Sequence, residues 1–127
     1  MAKIVFQQYG VLAVCIFGSQ IKGLAHPLSD LDIGIVFENF LKREKNITEV
    51  YTEIHATLKK EFRGKEIDLV FLQEAPISLQ FDALASGQFI YISDPAALAA
   101  IRERVINKYY DFLPISRIFY ETLIKSV

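Results

Sequence analysis

Two mainly apolar segments of seven residues constrain the fold of this 127-residue chain more than any other feature. Residues 11–17 are apolar throughout, and residues 31–37 are apolar apart from Asp32 and Gly34. A strand that is apolar along its whole length is typical of the centre of a sheet that is covered on both faces. The sequence therefore predicts a central strand at 11–17 and a second strand at 31–37.

Strands and helices are predicted to alternate after these two segments. Residues 48–62 have apolar side chains at helical spacing, and Gly64 follows them as a stop signal. A third apolar strand is predicted at 66–72, and a helix that opens at Pro76 and ends before Gly87 follows it. This alternation is typical of an α/β or α+β layer fold.

The C-terminal third is predicted to contain a short strand and two helices. The strand covers residues 88–92, and Asp94 is expected to cap a helix that starts at Pro95. Pro114 is expected to break that helix, because the residue before a proline avoids helical geometry. A last short helix is predicted over residues 115–125. The whole chain, residues 1–127, is thus expected to form one domain, with a mixed sheet of about four strands.

Two carboxylates stand at the head of the second strand. Side chains alternate between the faces of a strand, so Asp30 and Asp32 point the same way, roughly 6.6 Å apart along the backbone. A third carboxylate, Asp68, lies in the strand at 66–72. Like charges on a strand that otherwise forms core are costly without a counter-ion, and a divalent metal is the usual compensation. With the Gly18-Ser19 turn, these residues indicate a Mg²⁺–nucleotide site.

The composition of the chain argues against nucleic-acid-binding, membrane-spanning and secreted proteins. The net charge is −1, so no overall field favours nucleic acid or an anionic membrane, and direct nucleic-acid binding is not expected. No apolar run approaches the length of a spanning helix, and the N-terminus is no signal peptide. The single cysteine, Cys15, lies inside the first strand and is expected to be a buried, unreactive side chain in a reducing cytoplasm.

The high apolar fraction points to a partner surface. Apolar residues make up 52% of the chain, more than so small a domain can bury. The excess is expected to form an exposed patch, and such patches usually mark sites of protein interaction. The C-terminal helices are the best candidates: Leu98, Ile101 and Val105 are predicted to close the sheet, and Tyr110 and Tyr120 to face outward.

The sequence contains Gly18-Ser19, then ten residues, then Asp30-Leu31-Asp32, with Asp68 in a following strand. This pattern resembles the nucleotidyltransferase superfamily that includes polymerase β and kanamycin nucleotidyltransferase. The small size and the C-terminal helices are similar to the minimal nucleotidyltransferase (MNT) antitoxins, which are typically encoded beside a HEPN-domain ribonuclease toxin. The resemblance implies the nucleotidyltransferase fold, and it covers nearly the whole chain.

The resemblance implies a reaction in which an acceptor hydroxyl attacks the α-phosphorus of a nucleoside triphosphate and pyrophosphate leaves. Two Mg²⁺ ions about 3.5–4 Å apart can clamp the attacking and leaving oxygens. Asp30 and Asp32 would bridge both ions, and Asp68 would hold the ion nearest the acceptor and accept its proton. Gly18 would let the backbone approach the phosphates, and Ser19 would donate to the β- and γ-phosphates.

Lys22 departs from the family pattern. It places a lysine where many members have arginine, and lysine cannot make the bidentate phosphate contact. Lys22 is nevertheless predicted to contact the triphosphate of ATP.

Two classes of function follow from the resemblance. The first is an enzyme that moves AMP from ATP to a tyrosine hydroxyl of the cognate HEPN toxin. The second is an antitoxin that neutralises the toxin by covering it, with a vestigial metal site. A small-molecule nucleotidyltransferase is a further alternative, although such enzymes carry an extra substrate domain. Either a homodimer or a hetero-oligomer with the toxin is compatible with the sequence.

Overall fold

In a computed structural model, four strands form one mixed sheet with helices on both faces. The structure describes residues 2–18, 30–39 and 46–125. Its elements in chain order are α1 (Ala2–Gln8), β1 (Val11–Phe17), β2 (Leu31–Phe37), α2 (Ile47–Glu61), β3 (Ile67–Phe71), a 3-10 turn (Leu72–Glu74), α3 (Ile77–Ser86), β4 (Gln88–Ile92) and α4 (Pro95–Lys125). The predicted α/β fold with a mixed four-stranded sheet is confirmed.

The strand order is β3-β2-β1-β4. β1 pairs antiparallel with both β2 and β4, whereas β2 and β3 are parallel. β1 and β2 are therefore the central strands, and their bounds agree with the predicted segments residue for residue. The predicted short strand at 88–92 is likewise confirmed as β4 and forms one edge of the sheet.

Side-chain alternation along the strands produces two cores, one on each face of the sheet. On the first face α1 and α2 pack against the odd-numbered residues of β2, and the buried residues include Phe6, Val14, Ile33, Ile35, Ile54 and Leu58. On the second face α3 and the start of α4 pack against the even-numbered positions of β2 and against Cys15 of β1. The buried residues there include Cys15, Val36, Leu72, Leu84, Leu98 and Val105. The predicted role of Leu98 and Val105 in closing the sheet is confirmed.

Local signals set the helix ends. Asn46 caps α2 by accepting from the Thr48 backbone N–H at 2.8 Å, and Asp94 caps α4 by accepting from the Ala96 and Ala97 N–H groups. α1 is an element that the sequence did not predict. It has seven residues and buries only Phe6, so it shows no periodic apolar pattern that could reveal it.

The predicted break at Pro114 is wrong. α4 is one helix of 31 residues with Pro114 inside it, so the expected pair of C-terminal helices is a single helix. A proline removes one helical N–H and leaves the carbonyl four residues earlier, that of Tyr110, without its partner. Residues 111–115 are all exposed, so water can bind that carbonyl and the helix continues.

No helix in the described ranges is long and apolar enough to cross a membrane.

Candidate active site

Two of the predicted carboxylates meet where β2 and β3 begin. The parallel register places Asp32 directly beside Asp68, and Phe17 at the end of β1 pairs with Asp32 on the other side. Both carboxylates occupy the second face of the sheet, since their neighbours Ile33 and Leu69 belong to the first core. The predicted proximity of Asp32 and Asp68 thus follows from strand pairing alone.

Asp32 has a strongly unfavourable environment for a carboxylate. Burial raises the pKa of Asp32, and the charge of Asp68, a hydrogen bond with Asp68 and the charge of Asp30 raise it further. Desolvation and nearby like charges both disfavour the ionised form. A cation beside Asp32 would favour its ionised form, so this environment is compatible with a metal-binding carboxylate.

Asp30 lies near the carboxylates of Asp32 and Asp68. It is exposed, immediately before β2, and its charge acts on Asp32. The Leu31 N–H that follows it donates to the Glu66 carbonyl at 2.8 Å, which joins the start of β2 to β3. Within residues 2–18, 30–39 and 46–125, no three His, Cys, Asp or Glu side chains are close enough together to hold a metal ion. The structure thus brings together Asp32 and Asp68, and Asp30 lies near them.

Gly18 contacts the same carboxylate. Its φ is +85°, and a Cβ added to it would lie 2.4 Å from Oδ2 of Asp32. Any side chain at position 18 would therefore both strain the backbone and displace Asp32. The sequence predicted a glycine for phosphate approach, whereas the structure shows a second reason, which is room for the Asp32 carboxylate.

Two predicted nucleotide-binding residues, Ser19 and Lys22, lie outside the described residues. Their assignments stay predictions from the sequence.

His55 of α2 contacts the backbone of the strand that carries Asp68. The Glu66 carbonyl points to β2, and carbonyls alternate along a strand, so the Ile67 carbonyl faces the open edge of β3. His55 lies 3.1 Å from that carbonyl through Nε2. Because a carbonyl only accepts, Nε2 carries the hydrogen. His55 thereby fixes the backbone directly before Asp68, and its own ring stacks on Tyr51. No spacing in the sequence signals this contact.

Cys15 takes no part in the site. It is fully buried in β1, and burial raises the pKa of its thiol to about 11. The thiolate is the reactive form of cysteine, so the predicted unreactive role agrees with its environment.

The carboxylates fit a divalent cation of the magnesium type. Carboxylate oxygens are hard donors that Mg²⁺ prefers. Burial and the charges of Asp68 and Asp30 raise the pKa of Asp32, so a cation beside this carboxylate would offset an unfavourable charge. Asp32 and Asp68 would provide two of the ligands, and the role of Asp30 as a third ligand stays a prediction from the sequence.

Comparisons with known proteins bear on the family and the fold of this chain. The family model for polymerase beta nucleotidyltransferases matches residues 2–96. A search of curated proteins found no match. Among solved structures, a toxin–antitoxin complex with AMP-PNP is similar with a TM-score of 0.74 and 16% identity, over 96% of this chain and 94% of that chain.

Two further solved structures have the same fold. The toxin–antitoxin complex MntA-HepT has a TM-score of 0.66 at 16% identity and covers 96% of this chain and 92% of that chain. The tri-AMPylated Shewanella oneidensis HEPN toxin in complex with MNT antitoxin has a TM-score of 0.63 at 16% identity and covers 98% of this chain and 99% of that chain. All these similarities include α4, which lies almost wholly beyond the family match.

Proposed function

This chain belongs to the polymerase beta nucleotidyltransferase family, and we propose that it is an antitoxin that transfers AMP from ATP to a tyrosine hydroxyl of a HEPN ribonuclease toxin. The observation that carries the proposal is the pairing of Asp32 with Asp68 on parallel strands, with the Gly18 backbone against Asp32. The Shewanella complex with an AMPylated HEPN toxin supports the choice of AMP and of a toxin as the acceptor.

Each carboxylate has a separate task in this proposal. Asp30, Asp32 and Asp68 would hold the metal ions, and Asp68 also orients the acceptor hydroxyl. A carboxylate oxygen of Asp68 takes the proton of that hydroxyl as its oxygen attacks the α-phosphorus and pyrophosphate leaves. Two Mg²⁺ ions, when bound, would neutralise charge on the reacting phosphate and on the leaving pyrophosphate.

The assignments of the phosphate-binding residues and of the domain bounds rest on the sequence. Ser19 and Lys22 are proposed to bind the β- and γ-phosphates of ATP, Ser19 through a hydroxyl and Lys22 through its charge. The whole of residues 1–127 is proposed to act as one nucleotidyltransferase unit. A free thiol at Cys15 and the use of ATP are consistent with a cytoplasmic protein.

The experiment that tests this function uses the HEPN protein encoded beside this chain's gene. The two purified proteins are incubated with ATP and Mg²⁺, the toxin is analysed by intact-mass and peptide mass spectrometry, and its ribonuclease activity is measured. The proposal expects the mass of AMP on a toxin tyrosine and a loss of ribonuclease activity that requires ATP. Equal inhibition without ATP, and no added mass, would instead support neutralisation by binding alone.

His55 is expected to support catalysis by positioning Asp68. Replacing His55 with Ala removes one hydrogen bond to the edge strand, worth about 1 kcal/mol, and should raise the Mg²⁺ concentration needed for half-maximal AMP transfer. His55→Gln keeps a donor and should restore much of the loss. The measurement is a Mg²⁺ titration of the initial transfer rate.

Lys59→Ala provides the matched control on the same helix. It removes an ion pair with Glu66, the residue just before β3, with the two groups 3.6 Å apart and largely exposed. Such a pair contributes only about 0–1 kcal/mol. Its Mg²⁺ dependence should stay at the wild-type value. If His55→Gln behaves like His55→Ala, or if Lys59→Ala has the same effect, the hydrogen bond to Ile67 is not what positions Asp68.

A further inference from the structure

One face of α4 changes from buried to exposed along its length. Leu98, Val105, Phe112 and Phe119 are seven residues apart, so they lie on nearly the same side of the helix. The exposed fractions of Leu98 and Val105 are 3% and 6%, and those of Phe112 and Phe119 are 40% and 66%. Ile115, between the two phenylalanines, is 68% exposed. The apolar face that seals the sheet thus continues beyond the core.

We call Phe112, Ile115 and Phe119 the distal seam. These side chains remain largely exposed with every described residue in place. An apolar seam with a seven-residue repeat is the pattern by which a helix packs on another helix. The occupant that fits this surface is therefore an amphipathic helix of another protein molecule.

The predicted outward residues are a different set. Tyr110 is 59% exposed, as expected, but its ring contacts Phe81 and Tyr109 and lies away from the seam. The side chain of Tyr120 lies outside the described residues. The heptad spacing, which the sequence already contained, identifies the seam more directly than the tyrosines do.

The position of the seam favours the protein acceptor over a second copy of this chain. α4 packs on the second face of the sheet, from which Asp32 and Asp68 also project. A partner on the seam is therefore held on the same side of the sheet as the carboxylates. The family match ends at residue 96, so the distal seam lies outside the matched part of the chain.

Charge adds little to this surface, and apolar contact dominates it. Arg117 and Glu121 pair with each other along α4 at 3.5 Å. Residues 110–125 span roughly 24 Å of helix, a length that can contribute much of the roughly 800 Å² per partner found in stable complexes. Aromatic side chains near the centre of an interface usually carry most of its binding energy.

We propose that the distal seam of α4 docks a helix of the protein that receives AMP and so delivers its hydroxyl to the carboxylates. This proposal rests on the proposed function, since it assumes a protein acceptor. It adds a recognition surface that is physically separate from the nucleotide site.

The test compares two neighbouring residues with the same exposure. Phe119 and Ile118 are 66% and 64% exposed, and they lie about 100° apart around the helix, so only Phe119 belongs to the seam. Binding of the HEPN protein from the adjacent gene is measured by titration calorimetry with Phe119→Glu and with Ile118→Glu. We expect Phe119→Glu to weaken binding about tenfold or more, and Ile118→Glu to change it by less than about twofold.

Controls separate the possible outcomes. Circular dichroism checks the helix of each variant, and Ile115→Glu serves as a second seam variant should Phe119→Glu unfold. Affinity for a non-hydrolysable ATP analogue should stay unchanged in all of them. If both Phe119→Glu and Ile118→Glu bind the toxin at full strength, the docking proposal is overturned.

The experiments also distinguish dimerisation through the seam from a failure of AMP transfer. If light scattering shows a dimer of this chain that Phe119→Glu abolishes while toxin binding persists, a second copy occupies the seam and the proposal is overturned. If the wild-type protein transfers no AMP, the proposed function fails, whereas the binding comparison still decides whether the seam docks the toxin.

Discussion

Replacing Asp30 and Asp32 together with asparagine should abolish AMP transfer and leave the chain folded. The two carboxylates provide the charge that holds the metal ions, and metal ions contribute several kcal/mol of charge stabilisation to such reactions. Since each 1.36 kcal/mol is tenfold in rate, the loss should reach roughly a thousandfold or more. The measurement is the rate of toxin modification at saturating ATP and Mg²⁺.

The same variant should have a distinct pH signature without metal. Because burial and the charges of Asp68 and Asp30 raise the pKa of Asp32, ionising this group costs free energy in the folded state. The contribution of Asp32 to stability should therefore be fully present below the pKa of an unfolded aspartate and be lost as pH rises through the folded pKa. The double variant, which lacks this carboxylate, should not show this loss. Melting temperatures measured in EDTA across this pH range would contradict the account if wild type and variant ran parallel.

The second large effect is expected at Gly18. Gly18→Ala forces a Cβ to within 2.4 Å of Oδ2 of Asp32 and strains a backbone with a φ of +85°. The left-handed conformation alone costs about 1–2 kcal/mol for a residue with a side chain. The clash should in addition displace Asp32 and lower the transfer rate by about a hundredfold, the size of effect that a misplaced catalytic group has.

Gly64→Ala is the matched control for this prediction. Gly64 has a φ of +82°, and a Cβ there would meet nothing within 4 Å. It should show the same loss of stability, measured by urea unfolding, with normal activity. If the two variants lose activity equally, the contact of Gly18 with Asp32 has no catalytic consequence.

The central strands could be predicted from the sequence because their signal is local. β1 and β2 are apolar segments of seven residues bounded by turns, and the buried environment of a central strand requires nothing more. The seven-residue α1 carries no such pattern, since one buried residue, Phe6, cannot reveal a periodicity. The predicted helix break at Pro114 was wrong for a different reason. A proline does remove one hydrogen bond from a helix, but the turn around Pro114 is exposed, so α4 continues through it.

The candidate site was predictable as a set of residue types but not as a set of contacts. The alternation of strand side chains predicts Asp30 and Asp32 on one face, whereas the parallel register of β2 and β3 brings Asp68 beside Asp32. The hydrogen bond from His55 to the Ile67 carbonyl and the contact of Gly18 with Asp32 join residues distant in sequence. Such contacts depend on how α2 and the end of β1 pack, which spacing along the chain does not encode.

The most direct test of the central claim uses ATP labelled at two positions. The wild-type chain is incubated with the HEPN toxin, Mg²⁺ and ATP carrying label on either the α- or the γ-phosphate, and the toxin is then separated and counted. Nucleotidyl transfer at Asp30, Asp32 and Asp68 predicts label on the toxin from α-labelled ATP alone, and none with the Asp30→Asn/Asp32→Asn variant. Label from γ-labelled ATP, or undiminished α-label with that variant, would contradict the account.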